Sequence, residues 1–169
     1  MINGFLALTQ VHEISNSLSV HSIDESGVLD RLQTFTLVPD TIPTCIGASV
    51  GPVESCNKAA EVLLSADGRS LFVSNRGYGS PNTNTIVGFE VMPDGRLRRV
   101  GTVASGVRYP RGMEFCDLAN GQVLLVAGQG SGNVKAFAVA PGGAAGELKP
   151  LGQLADGLFT PTTIACVSA

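Results

Sequence analysis

Apolar residues along this chain come in short bursts bounded by turn-forming residues. The stretch "SADGRSLFVSNRGYG", residues 65–79, is representative: an Asp-Gly turn, the run Leu71-Phe72-Val73, then an arginine among polar residues and glycines. Bursts of this length suit strands, and no window of about 11 residues keeps the 3.6-residue spacing of an amphipathic helix. Asp67-Gly68, Asp94-Gly95 and Asn120-Gly121 are favoured hairpin dipeptides because both residues tolerate positive φ; Ser26-Gly27 and the Gly142–Gly146 run serve likewise. The pattern predicts an all-β chain.

Overlaying the bursts exposes a repeat. Leu71 falls on Leu124 at an offset of 53, Phe89 on Phe137 at 48, Pro110 on Pro161 at 51 and Gly95 on Gly146 at 51. Each unit of roughly 50 residues holds four strands, A to D, the mark of a four-stranded antiparallel propeller blade. One unit runs through residues 60–64, 70–75, 85–91 and 96–103, and the next through 112–115, 123–128, 133–139 and 147–154. An incomplete unit precedes them, with B at 5–11, C at 17–23 and D at 28–37. Residues 162–167 read as strand A of a following unit. The expected boundaries are an incomplete blade over 1–38, an inserted loop over 39–58, blades over 59–104 and 105–154, and a first strand over 155–169. Closing a ring takes about 4 to 8 blades, so the expectation is a partial propeller of about three blades belonging to something longer. Both terminal units then carry flat apolar faces, and self-association through them is expected.

Composition narrows the function classes. With 44% apolar and 15% charged residues, the chain has enough apolar material for a real core. A net charge of −3 and the lack of any Lys/Arg run speak against nucleic acid and anionic membranes, which leaves small molecules or proteins as partners. The opening "MINGFLALTQVHEIS" lacks the basic start and small-residue cleavage site of a signal peptide, and no apolar run reaches the roughly 18 residues of a membrane helix. Cys45, Cys56, Cys116 and Cys166 form no C-x-x-C pair and lie far from histidines at metal-ligand spacing, so no metal is expected. They read as reduced thiols of a cytoplasmic protein. Cys45 and Cys56 could bridge the inserted loop outside the cytosol, whereas Cys116 and Cys166, at equivalent A-strand positions, suit small buried apolar groups.

Blade geometry explains why the apolar burst ends on Arg76. Strand A lines the central channel and strand B returns beside it, so the end of B and the start of A share one mouth of the ring. Ends of B bring Glu13, Arg76 and Gln129 there; starts of A bring Glu61, Arg111 and Thr162. An acid and two arginines suit acid/base chemistry on an anion, because guanidinium matches carboxylate or phosphate in a two-pronged fork. His12 neighbours Glu13 on a strand and points to the opposite face, where packing is its ordinary role. Arg111 could equally brace a loop, and Glu61 and Gln129 suit structural roles as well as substrate contact.

At these residues the chain resembles a known family. "HEISNSLSVHSID", "AAEVLLSADGRSLFVSNRG" and "YPRGMEF" are similar to the C-terminal blades of the seven-bladed propeller lactonases, which include bacterial 6-phosphogluconolactonase and fungal 3-carboxy-cis,cis-muconate lactonizing enzyme. The resemblance covers nearly the whole chain and implies about three blades of seven. It also implies that Glu13 and Arg76 correspond to the glutamate and arginine of the family's proposed site. That site's histidine and second arginine would lie in sequence preceding Met1. The implied activity is metal-independent and cofactor-free hydrolysis of a sugar lactone such as 6-phosphogluconolactone, with a small anionic lactone or carboxylate as substrate. Carboxymuconate cycloisomerisation by the same Glu/Arg pair is the alternative, and a non-catalytic protein-binding propeller a third. Two motifs mislead. "GASVG" at 47–51 has the G-x-S-x-G spacing, but Pro52 begins a loop where a nucleophile elbow needs a helix. "GQGSG" at 128–132 joins two strands instead of opening a helix.

Overall fold

The computed structural model describes residues 6–39, 45, 56–78, 83–118, 121–139 and 146–167. Within them lie eleven strands in chain order: β1 Leu6–His12, β2 Ser17–Ile23, β3 Leu29–Thr36, β4 Lys58–Leu64, β5 Ser70–Arg76, β6 Thr85–Val91, β7 Leu97–Ala104, β8 Pro110–Leu118, β9 Gly121–Gly128, β10 Asn133–Val139 and β11 Leu148–Ala155. They form three antiparallel sheets, β1-β2-β3, β4-β5-β6-β7 and β8-β9-β10-β11, each a meander in chain order. The described residues contain no α-helix. The fold is the expected all-β partial propeller.

Tight turns make the meanders, with a conformation that differs from the expected one. At Gly27, Gly68 and Gly95 only the glycine adopts positive φ (83°, 70° and 77°), while the preceding residue does not. In each turn the glycine N–H donates to a carbonyl three residues earlier: Asp24, Ser65 and Met92. The Asp67 carboxylate completes its turn by accepting from the Ser65 hydroxyl at 2.6 Å and from the Arg69 N–H at 3.0 Å. These bonds to the ionised form hold its pKa below the ordinary carboxylate value, the Ser65 bond contributing most. Asp-Gly thus acts here as a side-chain cap followed by a left-handed glycine.

Alternation along the middle sheet builds two cores. Leu71 and Val73 of β5, with Val87 and Phe89 of β6, pack against Leu18 and Val20 of the first sheet and Leu37 just after β3. Phe72 and Ile86, on the other face, pack against Met113, Leu124, Val126 and Phe137 of the third. Edge-to-face aromatic pairs cross each core, Phe35–Phe89 at 5.0 Å and Phe72–Phe115 at 5.9 Å between ring centres. Strand β5 is buried at all seven residues, so it shows no polar alternation. Sheets two and three also approach through Gly88, where a Cβ would lie 1.9 Å from the Gly146 carbonyl oxygen.

The outer faces of the stack differ from each other. Leu18 and Val20 face the first core, so Ser17, Ser19 and His21 leave the opposite face of that sheet. Ser19 Oγ lies 2.8 Å from His12 Nε2 and 2.9 Å from His21 Nε2. Exposed Leu8, directly opposite His21, shares this face, which therefore mixes polar and apolar residues. The far face of the third sheet is apolar: a groove of about 370 Å³ is lined by Val123, Leu125, Leu151 and Leu154.

Residues 162–167 are not in a strand: a strand needs a ladder of hydrogen bonds to a neighbour, and among the described residues they have none. They run close to β8 all the same, the Thr162 carbonyl oxygen lying 2.5 Å from where a Gly112 Cβ would be. The reduced-thiol expectation is corrected: Cys45 is bonded to Cys56 and Cys116 to Cys166, with Cα–Cα distances of 5.2 and 5.6 Å. Neighbouring A positions are close enough for their side chains to bond, and the equivalence that suggested packed apolar thiols instead brings two sulfurs together. Cys116 is only half-buried and Cys166 is exposed. Most of the inserted loop, including "GASVG", lies outside the described residues, as do Asn120 and 142–145.

The bridges span 11 and 50 residues. Loop-closure entropy assigns them roughly 3 and 4 kcal/mol of stabilisation. Alkylation of the denatured protein without reductant is expected to label none of the four cysteines, and to label all four after reduction; mass spectrometry reads the count, and labelling before reduction would break the pairing.

Candidate active site

The strand ends gather polar residues at one edge of the sheets. Arg76, the last residue of β5, is 5% exposed, and its Nη2 donates to Glu13 Oε1 at 2.6 Å and to the Ala59 carbonyl at 3.3 Å. Glu13 follows β1, so this ion pair links the first and second sheets. It is asymmetric: the Arg76 side chain is 6% exposed and that of Glu13 is 55% exposed. The carboxylate is open to solvent while its partner is anchored in protein. Arg76 Nε is buried and has no hydrogen-bond acceptor among the described residues.

Two asparagines set the geometry. Asn16 lies in the turn after Glu13 at φ 50°, fully buried, and its Nδ2 donates to Asn75 Oδ1 at 2.8 Å, beside Arg76. The Asn16 carbonyl accepts from the Leu37 N–H at 3.0 Å. The turn carrying Glu13 is thereby held against the end of β5. Asn84, just before β6, accepts the N–H groups of Gly77 at 3.0 Å and Tyr109 at 2.8 Å, and its Nδ2 donates to the Gly77 carbonyl at 3.1 Å. It ties the second sheet to the third as Asn16 ties the first to the second. Sequence inspection missed both, although they share the 68-residue offset that relates Gly27 to Gly95.

An aromatic pair lies between the second and third sheets. Tyr78 stacks on Tyr109 with ring centres 4.5 Å apart, the Lys58 ammonium lies 5.6 Å from the centre of the Tyr78 ring, and the Arg108 guanidinium 5.0 Å from that of Tyr109. Tyr109 adopts φ 58°, a left-handed conformation that bulky residues rarely take. Asn84 holds its N–H and the Gln129 N–H donates to its carbonyl at 3.1 Å.

The expected residues divide accordingly. Glu13 and Arg76 are brought together. His12 bonds to Ser19 on the outer face of the first sheet, Gln129 holds the Tyr109 loop through its backbone, and Arg111 is exposed in β8 with no ion-pair partner among the described residues. Glu61 is corrected in position: β4 begins at Lys58, two residues earlier than expected, so Glu61 sits in mid-strand and Lys58 takes the strand start. A register shift between Ala59 and Val62 accompanies this, and the Glu61 N–H donates to Ser74 Oγ at 3.0 Å. Glu114 occupies the equivalent place on β8, 53 residues on. Burial raises the Glu61 carboxyl above its ordinary pKa, and the Glu114 charge adds to the rise. Among the described residues no group of three or more His, Cys, Asp or Glu could hold a metal ion.

Comparison with known proteins defines the class. Residues 8–161 match the family described as "Lactonase, 7-bladed beta-propeller", and the chain belongs to that family. It is 37% identical over 81 residues to a 6-phosphogluconolactonase from Formosa agariphila, covering 47% of this chain and 22% of the relative. The structure of a periplasmic gluconolactonase from Pseudomonas aeruginosa superposes with a TM-score of 0.67 at 32% identity, over 89% of this chain and 36% of the other. A Lactobacillus plantarum protein gives 0.69 at 25% identity, over 92% and 40%. The chain therefore spans well under half the length of these relatives.

Glu61 makes a testable demand on stability. A carboxyl whose pKa is raised by folding contributes stability that is fully present below its unfolded value, about 4.3, and is lost as pH rises through the folded value. Glu61→Gln removes that loss, so the melting temperature of the variant minus that of wild type is expected to be near zero at acidic pH and positive at neutral pH. A difference independent of pH would refute the burial argument.

Proposed function

We propose that this chain supplies a lactone-hydrolysing site for an anionic sugar lactone, 6-phosphogluconolactone being the substrate class that best suits it. The observation carrying this reading is the Glu13–Arg76 pair, an accessible carboxylate on a buried guanidinium, in a member of the lactonase family. Glu13 acts as general base: its carboxylate accepts a proton from water as the water oxygen bonds to the lactone carbonyl carbon. The carbonyl oxygen becomes an oxyanion, and donors already fixed in place stabilise it without reorganising. Collapse breaks the ring C–O bond, and the departing oxygen takes the proton held by Glu13 to become the hydroxyl of the open-chain acid, which restores the carboxylate. Arg76, with Nε unoccupied, and the exposed Arg111 are the cations for the oxyanion or the phosphate. The 6-phosphogluconolactonase and gluconolactonase names of the relatives support lactone chemistry.

The test uses the complete protein that contains this chain. Glu13→Gln keeps size and hydrogen bonding but removes the base, and kcat for 6-phosphogluconolactone is expected to fall by about 10²- to 10⁴-fold. Wild-type turnover in a folded Glu13→Gln protein would exclude Glu13 as the base. Arg76→Lys keeps charge but loses the planar fork, and KM should rise more for the phosphorylated lactone than for uncharged gluconolactone. Equal losses on the two substrates would take anion recognition away from Arg76.

A further inference from the structure

Lys58 was not among the residues singled out by sequence, and its surroundings are unusual for a lysine. It opens β4 directly opposite Arg76 on β5, so the two side chains leave the same face of the sheet. Like charges in this cross-strand position repel. Both are buried, Lys58 at 7% exposure and Arg76 at 5%. Glu13 is the carboxylate paired with Arg76, and among the described residues none pairs with Lys58. The contact recorded for its ammonium is the face of Tyr78, itself stacked on Tyr109. The one half-exposed carboxylate here pairs with Arg76 alone, and among the described residues one guanidinium nitrogen is also without an acceptor. A cation on a largely buried side chain with no anion beside it is unfavourable unless another group compensates it.

We propose that Lys58, held by the Tyr78–Tyr109 stack, binds an oxyanion group of the substrate together with Arg76. The stack positions the ammonium while leaving its donors free, since a ring face attracts the cation without taking its N–H bonds as an acceptor oxygen does. A phosphate monoester or a sugar-acid carboxylate would supply the missing charge. This assignment rests on the lactonase reading for its substrate class, but anion binding is measurable without turnover.

The test is calorimetric titration of wild type and Lys58→Met with glucose 6-phosphate, gluconate and uncharged glucose. Wild type should bind at least one anion more tightly than glucose, and Lys58→Met should weaken that anion about 10-fold while leaving glucose unchanged. Which anion responds identifies phosphate or carboxylate as the group recognised. Without ligand, Lys58→Met and Lys58→Gln should melt no lower than wild type, because no ion pair is lost. Anion binding that ignores the substitution, wild type that does not distinguish anions from glucose, or a marked loss of melting temperature in both variants would overturn the assignment. Lactone turnover that survives with Lys58-independent anion binding would sink this proposal alone; absent turnover with Lys58-dependent binding would sink the hydrolase reading alone.

Discussion

Arg76 ends a strand that has no solvent face. Leu71 and Val73 are committed to one core and Phe72 to the other, so β5 cannot rotate or slide by one residue without turning both sets out of place. That constraint delivers the guanidinium to a fixed point at the sheet edge. Glu13 arrives from the first sheet, on a turn whose own sheet is aligned through Leu18 and Val20 on the same core. The ion pair is the outcome of this double packing. An exposed pair of long side chains would contribute little by itself, whereas here one partner is already immobilised and the entropy of holding it was lost when the core formed.

The asparagines carry the same logic to the neighbouring junction. A buried amide has a donor and an acceptor end, so it can join two backbones without leaving a polar group bare. Asn84 uses both ends, and through Tyr109 it sets the aromatic stack against which Lys58 rests. Hydrophobic packing fixes the spacing of the sheets, and the amides set the fine alignment of their polar edge. Tyr109 keeps its left-handed backbone because its N–H and carbonyl are both held.

Strand positions were legible in the sequence because period, turn residues and apolar bursts agree; residues 17–23, 85–91 and 133–139 coincide with β2, β6 and β10. The final segment, residues 162–167, misled, since an apolar pattern does not by itself supply the hydrogen-bonded neighbour that a strand needs. Lys58 was hidden by a bulge: the register shift between Ala59 and Val62 lengthens β4 beyond its apolar core, and period-two reasoning does not anticipate such a shift. The Glu13–Arg76 meeting was readable only as two strand ends at one edge, because the contact spans 63 residues. The Cys116–Cys166 bond was misjudged because spacing along the chain does not report distance between neighbouring units, whereas a Cys45–Cys56 bridge was already open within the inserted loop.

The bond between Cys116 and Cys166 also changes what counts as one molecule. It closes a covalent ring around β9, β10, β11 and the connections between them. A single backbone cut by a protease anywhere inside that ring, for example in the exposed stretch around Phe159, leaves both products attached to each other. Damage at that site would be invisible to any separation by size under non-reducing conditions, and the nicked chain would keep its third sheet covalently intact.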